Sequence, residues 1–421
     1  MPPRPTRRTL LKLGTAALAA TSTAYTTGPA QATPATPATP SPSTPTHPHP
    51  VTLPPPTSPH PIGTVELHLV DRSRPDPLLP SKPFRELMIG IRYPAERGGA
   101  HPSAPWLGPA AAADWDRHSA PGLTIPTGAV DWRGIRTHAR TGAPVARSAG
   151  RLPVVLFFPG DGGNRALGTT LVEELAARGY AVVTVDSTYE AEQVEFPGGR
   201  VERAVPLPDE LTPEVIAALL ALHSRARLAD AGFVLRQIEI LARGGNPDAG
   251  ARPLPAGLPA ALDLSRTGVL GQSLGGSVAA QLAHDDPRIG AAVNLDGEFI
   301  GAVAGTGVGT PFLLLASGPH ALDTVPGWDT FWAASTGWKR ALRLRGSAHG
   351  SYTDLQVILP QLTPHLEIPA APELIGTISP ARSLAAQRTA VSAFFDLHLR
   401  HRPTGFFERP GVRYPEVEVL G

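Results

Sequence analysis

Ser273 lies in Gly271-Gln272-Ser273-Leu274-Gly275, a single hydroxyl set between glycines. The pentapeptide fits G-x-S-x-G, the sharp strand-to-helix turn that presents a serine as a nucleophile. The apolar run TGVL (267–270) precedes it and the small-residue stretch GGSVAAQLA follows, the strand-then-helix context the motif requires. The amide of Leu274, next along the chain, points toward the same space, at a helix N-terminus that favours developing negative charge. A serine hydroxyl is a weak nucleophile until a base takes its proton. The chemistry on offer is therefore acyl transfer, and it calls for a histidine, an acid and a second amide donor.

In this arrangement the partners follow in the order serine, acid, histidine, with the base on a loop after the last strand. ALRLRG (341–346) reads as that strand, and SAHGS after it carries His349 between small residues. Four other histidines follow the serine. His365 sits in a Pro-rich loop, His398 and His401 fall on the last helix, and His320 follows the preceding strand, on the acid's side. His349 is the candidate base. Asp296, in VNLDGE, and Asp323, in ASGPHALDT, compete for the acid. Both fall at the sheet edge that carries the serine, and either could serve only as a cap or turn residue. Pattern alone slightly favours Asp323, since a loop one strand before the histidine is the commoner place. The second amide is expected from the loop after the first parallel strand of the central sheet. That loop is FFPGDGG (157–163), with the N–H of Asp161 as the candidate. Its glycines lack the G-x-G-x-x-G spacing of a dinucleotide site.

These residues need a scaffold that brings strand ends together. Short apolar runs at 152–158, 180–186, 267–270, 290–296, 311–317 and 341–346 suit strands buried on both faces. Helical patterns lie between several of them. Leu167, Leu171 and Leu175 recur every four residues before Gly179; Thr212-Pro213-Glu214 is a helix start; Ala231, Val234, Ile238 and Leu241 mark another stripe; Leu384, Val391, Phe395 and Leu399 mark the last. Alternating strands and helices predict an α/β fold with a mostly parallel, doubly wound central sheet and helices on both faces. Residues 65–69 and 87–93 alternate as half-buried strands ahead of it. Residues 96–150, rich in Gly, Pro and Ala, read as a surface excursion, and residues 192–230 as part of a cap.

The chain has 421 residues, 37 Lys and Arg against 36 Asp and Glu, and no cysteine. That balance gives no footprint for nucleic acid. The missing thiols exclude disulfides, zinc-thiolate sites and cysteine nucleophiles. No cluster at metal-ligand spacing accompanies the elbow, so neither metal nor cofactor is expected. Residues 1–32 read as an export signal: Arg7-Arg8, a weakly hydrophobic alanine-rich stretch, then Ala30-Gln31-Ala32 as the cleavage site. That pattern predicts secretion through the twin-arginine translocation machinery. Residues 33–61, almost all Pro, Thr, Ala and Ser, read as a disordered linker in which His47, His49 and His60 are solvated. Residues 62–421 form the expected catalytic domain.

Taken together, LHLVDRSRPDP, FFPGDGG, ARGYAVVTVDSTYEA, RLADAGFVLRQIEIL, GQSLGG, DPRIGAAVNLDGEF and LRGSAHGSYTD resemble the platelet-activating factor acetylhydrolase family. The likeness runs from about residue 64 to 399. It implies an α/β-hydrolase fold and a calcium-independent serine esterase acting on short or oxidised acyl chains, such as the acetyl group of a phospholipid, with transient contact to a lipid surface. By the same resemblance the nucleophile falls on Ser273, the base on His349, the acid on Asp296 and the oxyanion amides on Leu274 and Asp161. The sequence departs from the family pattern at Gln272, Ser187 and Pro159, where histidine is usual; none of these removes a triad member. A general lipase or polyester hydrolase, and a non-catalytic binding protein on the same fold, are the alternatives.

Overall fold

The structure is a computed structural model that describes residues 47–58 and 60–421. The expected export signal and the first part of the linker lie outside the described residues.

The core is one sheet of eleven strands. Two ten-residue strands, β1 (Ile62–Asp71) and β2 (Arg85–Pro94), pair antiparallel. The short β3 (Ser103–Pro105) and β4 (Arg136–Thr141) extend the sheet beyond β1. β5 (Leu152–Phe158) and β6 (Ala181–Val185) then start the parallel part. After a separate hairpin of β7 (Gln193–Phe196) and β8 (Arg200–Arg203), it continues with β9 (Leu262–Gln272), β10 (Ile289–Leu295), β11 (Phe312–Ala316) and β12 (Lys339–Leu344). β13 (Val417–Val419) closes the edge antiparallel to β12. In space the order is β13-β12-β11-β10-β9-β5-β6-β2-β1-β4-β3. The six parallel strands from β6 to β12 are thus contiguous, with antiparallel neighbours on either side. This is the α/β-hydrolase architecture expected.

Strand alternation explains why both faces are covered. Along β5, Leu152, Val154, Leu156 and Phe158 enter one hydrophobic cluster, while Val155 and Phe157 enter the other. The first cluster is covered by helices Pro213–Ala242 and Leu274–Asp285, the second by Thr169–Ala177 and Pro380–Arg400. A strand packed on both faces reads as a continuous apolar run, which is how these segments appear in the sequence.

Two expectations are corrected. The linker reading of residues 33–61 fails for the described part. Val51 and Leu53 are buried, Thr57 bonds the Glu174 carboxylate through both N–H (2.7 Å) and hydroxyl (2.5 Å), and Arg388 donates to the carbonyls of Pro54 and Pro55. Prolines lack N–H donors but keep their carbonyls, so an extended segment still docks when a buried arginine reads them. Residues 96–150 are likewise packed into a core, because Trp106, Trp115 and Trp132 are all buried, meet one another with centroids 5.7–6.2 Å apart and share a cluster with Val51, Leu53, Ile358 and Leu362.

Candidate active site

Parallel strands end at a common edge, and register sets which residues meet there. Phe158 on β5 is paired with Gly271 on β9, Gln272 with Leu295 on β10, and Leu295 with Leu315 on β11. The residues just past those ends, 159–163, Ser273, Asp296 and 317–320, therefore gather in one place, joined by His349 beyond β12.

Ser273 has φ 54° and ψ −124°, a sparsely populated conformation costing about 1–3 kcal/mol. Its N–H donates to Leu295 O at 2.9 Å, which ties the elbow to β10. The flanking glycines are required by space. A Cβ on Gly271 would lie 1.9 Å from Gly275 O, and one on Gly275 would lie 2.1 Å from Phe158 O. Helix Leu274–Asp285 begins immediately afterwards.

Asp296 also has positive φ, 58°, and is buried. Its Oδ2 meets His349 Nδ1 at 2.8 Å; its Oδ1 meets His320 Nδ1 at 2.8 Å and accepts the Ser317 N–H at 2.7 Å. Burial works to raise this carboxyl's pKa. The hydrogen bonds to His320 and then His349 outweigh it and hold the group well below the carboxylate range. With an ionised carboxylate on Nδ1, His349 carries its proton there and keeps Nε2 as the acceptor. The Gln272 amide lies 3.3 Å from that Nε2. Among the described residues no hydrogen bond joins Ser273 Oγ to His349, although both line the same cavity. Such contacts are often long before substrate binds. Asp323 is exposed and, among the described residues, bonds neither histidine.

Asp161 and Leu274 both line this cavity. Among the described residues neither of their backbone N–H groups donates to a protein acceptor. The cavity measures about 230 Å³, below the range usual for drug-sized ligands. Leu167, Val205, Ile216, Leu219, Leu220 and Trp328 supply apolar walls. Val205, Ile216, Leu219 and Leu220 come from the segment after β8 and the first turns of helix Pro213–Ala242, so part of the segment expected as a cap does cover the site. The polar lining includes Asp161, Glu190, Glu192, Asp296 and Glu298, with no Lys or Arg among the described lining residues. Burial raises the carboxyl pKa of Glu298. A wider, shallower depression of about 700 Å³ along residues 360–376 holds none of Ser273, Asp296 and His349.

Sequence reasoning did not find His320 as a second partner of Asp296, Gln272 beside His349, or the Arg227 and Glu190 pair behind the 159–163 loop. The sequence did place His320 on the acid's side of the site, and the i, i+4, i+7 spacing of His223, Arg227 and Asp230 was there to be read.

No known family model matches the chain. It is 28% identical over 287 residues to a probable 1-alkyl-2-acetylglycerophosphocholine esterase of Arthroderma benhamiae. That match covers 64% of this chain and 66% of the relative's length. The solved ferulic acid esterase from Streptomyces cinnamoneus superposes with a TM-score of 0.72 at 35% identity, over 88% of this chain and 99% of that one. Both relatives are named as esterases, and the resemblance carried by the sequence motifs is borne out. With this identity across nearly the whole of a solved relative, on the same doubly wound sheet, the chain belongs to the α/β-hydrolase carboxylic ester hydrolases, the family of that solved esterase.

Proposed function

We propose that Ser273 is the nucleophile, His349 its base and Asp296 the acid of a serine esterase for short, uncharged acyl groups, acetylated phospholipids foremost. The observation that carries this reading is the 2.8 Å Asp296–His349 bond beside a serine held in the strained elbow. His349 Nε2 takes the Ser273 Oγ proton as that oxygen attacks the ester carbonyl carbon. The amides of Leu274 and Asp161 hold the oxyanion, each donor worth about 10²–10³ in rate. Collapse breaks the ester C–O bond, and His349 returns the proton to the leaving alkoxide. Water then attacks the acyl-enzyme through the same base, releasing the acid and free Ser273. The Gln272 amide must yield Nε2 before the first transfer.

The acyl preference is supported by the small cavity and its carboxylate-rich lining, which disfavours an anionic acyl tail. A phosphate group would remain at the mouth. A panel of p-nitrophenyl esters of rising acyl length tests it, with fastest turnover expected at two to four carbons. A rate maximum at long chains would assign the protein to lipases.

A second reading, esters of a phenolic acid, is favoured by one feature. Glu298 and His320 both line the cavity along with its apolar walls and are near enough to interact electrostatically, which would suit a phenol hydroxyl. Methyl ferulate assayed against p-nitrophenyl acetate separates the two. Export by the twin-arginine route is supported by Arg7-Arg8 and Ala30-Gln31-Ala32; sequencing the N-terminus of protein recovered from culture medium tests it, with Thr33 expected first.

A further inference from the structure

Behind the loop that offers the Asp161 amide stands a buried charge pair that the triad does not use. Helix Pro213–Ala242 presents His223, Arg227 and Asp230 at i, i+4 and i+7, and all three are buried. Residues at that spacing share a helix face. Arg227 donates to the carbonyl of Pro159 and, from Nη2, to the carbonyl of Gly160 at 2.9 Å. Its Nε meets Glu190 Oε2 at 2.9 Å, and Nη2 bonds the other oxygen of the same carboxylate.

We propose that Arg227 is the positioning residue of the oxyanion hole: by fixing the Gly160 carbonyl it turns the Asp161 N–H into the cavity. This rests on the acyl-transfer reading of the site. The reason is the peptide bond itself. The Gly160–Asp161 unit is planar and trans, so its C=O and N–H point in opposite directions. Holding the oxygen toward Arg227 directs the hydrogen the other way. Gly160 O also accepts the Gly163 N–H at 3.0 Å, and Asp161 is gripped at its other end by His223 Nδ1, 2.7 Å from Oδ1.

The loop needs such an anchor. Gly160, Gly162 and Gly163 give it wide backbone freedom, and an unanchored peptide can rotate and withdraw its amide. A guanidinium suits the task because its rigid fork serves two carbonyls and a carboxylate at once. Asp161, Glu190 and His223 also bring three metal-binding atoms within 4.8 Å of one another, but the guanidinium of Arg227 already supplies the positive charge there, and His223 is engaged with Asp161.

Removing Arg227 alone strands Glu190 without its buried partner, which is strongly destabilising. Two variants are therefore compared: Arg227→Lys, which keeps the charge beside Glu190 but loses the fork, and the double variant Arg227→Met with Glu190→Gln, which removes both charges. Each is assayed on p-nitrophenyl acetate, and each is titrated with a trifluoromethyl ketone, whose hemiketal adduct with the Ser273 oxygen mimics the tetrahedral intermediate. For the double variant we expect kcat to fall about 10²–10³-fold, the cost of one oxyanion donor, with KM within threefold. Ketone affinity should fall in step with kcat/KM. Arg227→Lys should show the same pattern, at least tenfold in kcat, so the proposal stays testable if the double variant does not fold. A folded variant with wild-type kcat, or a loss of kcat that leaves ketone affinity unchanged, overturns it. Ser273→Ala run in parallel separates the two ideas: if it stays active, the acyl-transfer reading fails; if it is dead while the Arg227 variants are unimpaired, only the positioning role fails.

Discussion

Asp296 engages two imidazoles at once, His349 through Oδ2 and His320 through Oδ1, each at 2.8 Å. Only His349 has its other nitrogen beside the elbow, where the Gln272 amide meets it. The two histidines should therefore separate cleanly on mutation. His349→Ala removes the proposed base and should lower kcat by about 10⁴ or more. His320→Gln leaves Asp296 with His349 and the Ser317 N–H, so kcat should stay within about tenfold. Stability should fall by about 1–3 kcal/mol as a buried partner is lost. Steady-state kinetics on p-nitrophenyl acetate and urea unfolding of both variants check this.

The same geometry separates the two aspartates. Asp296→Asn should cost about 10⁴ in kcat, because an amide cannot hold the base in the required tautomer. Asp323→Asn, at an exposed turn, should leave kcat nearly intact. Collapse of activity in the Asp323 variant with an active Asp296 variant would move the acid to the later loop.

The cavity's charge makes a prediction about substrates. Five carboxylate residues line it and, among the described residues, no Lys or Arg does. An acyl chain ending in a carboxylate should be disfavoured by repulsion that strengthens away from bulk water. Monomethyl glutarate activated as its p-nitrophenyl ester and the free half-acid, of equal acyl length, give the comparison. The free acid should be slower in kcat/KM by about tenfold or more, and Glu298→Gln should narrow the gap. Equal rates for the two would show that the lining charges do not reach the acyl group.

Asp354 should give stability a pH dependence. It is fully buried, accepts the Thr170 N–H and hydroxyl and the Trp106 indole N–H, and burial pushes its carboxyl up to about 7. An unfolded aspartate titrates near about 3.9. Between those values the folded state holds the extra proton, so stability contributed here is present at low pH and is lost as pH rises toward 7. The slope is at most about 1.4 kcal/mol per pH unit. Urea unfolding at pH 5 and pH 7 should show wild type losing stability relative to Asp354→Asn. Identical pH dependence in both proteins would contradict it.

What could be read from the sequence was what is local. The elbow is five consecutive residues after an apolar run, so its geometry follows from the chain itself. The parallel strands announced themselves because both of their faces are buried. Asp296 and Asp323 stayed close on pattern because the choice depends on which strand end reaches His349, a matter of register between β10, β11 and the loop beyond β12. His320 could be placed on the acid's side but not as a partner of Asp296, for the same reason. Val51, Leu53 and the three tryptophans were missed because Pro-, Gly- and Ala-rich segments carry no period, and their burial depends on Arg388, Asp354 and the helices they meet. The charged face of helix Pro213–Ala242 was visible as spacing, but its role is set by a loop more than sixty residues away.

Covalent capture of Ser273 tests the serine mechanism most directly. The intact protein is treated with a fluorophosphonate at neutral pH and its mass is measured, followed by peptide mapping. The expected result is one phosphonyl adduct per chain, located on Ser273, appearing in parallel with loss of esterase activity and absent from Ser273→Ala. Full activity with no adduct, or an adduct at another serine that tracks the loss, would contradict Ser273 as the nucleophile.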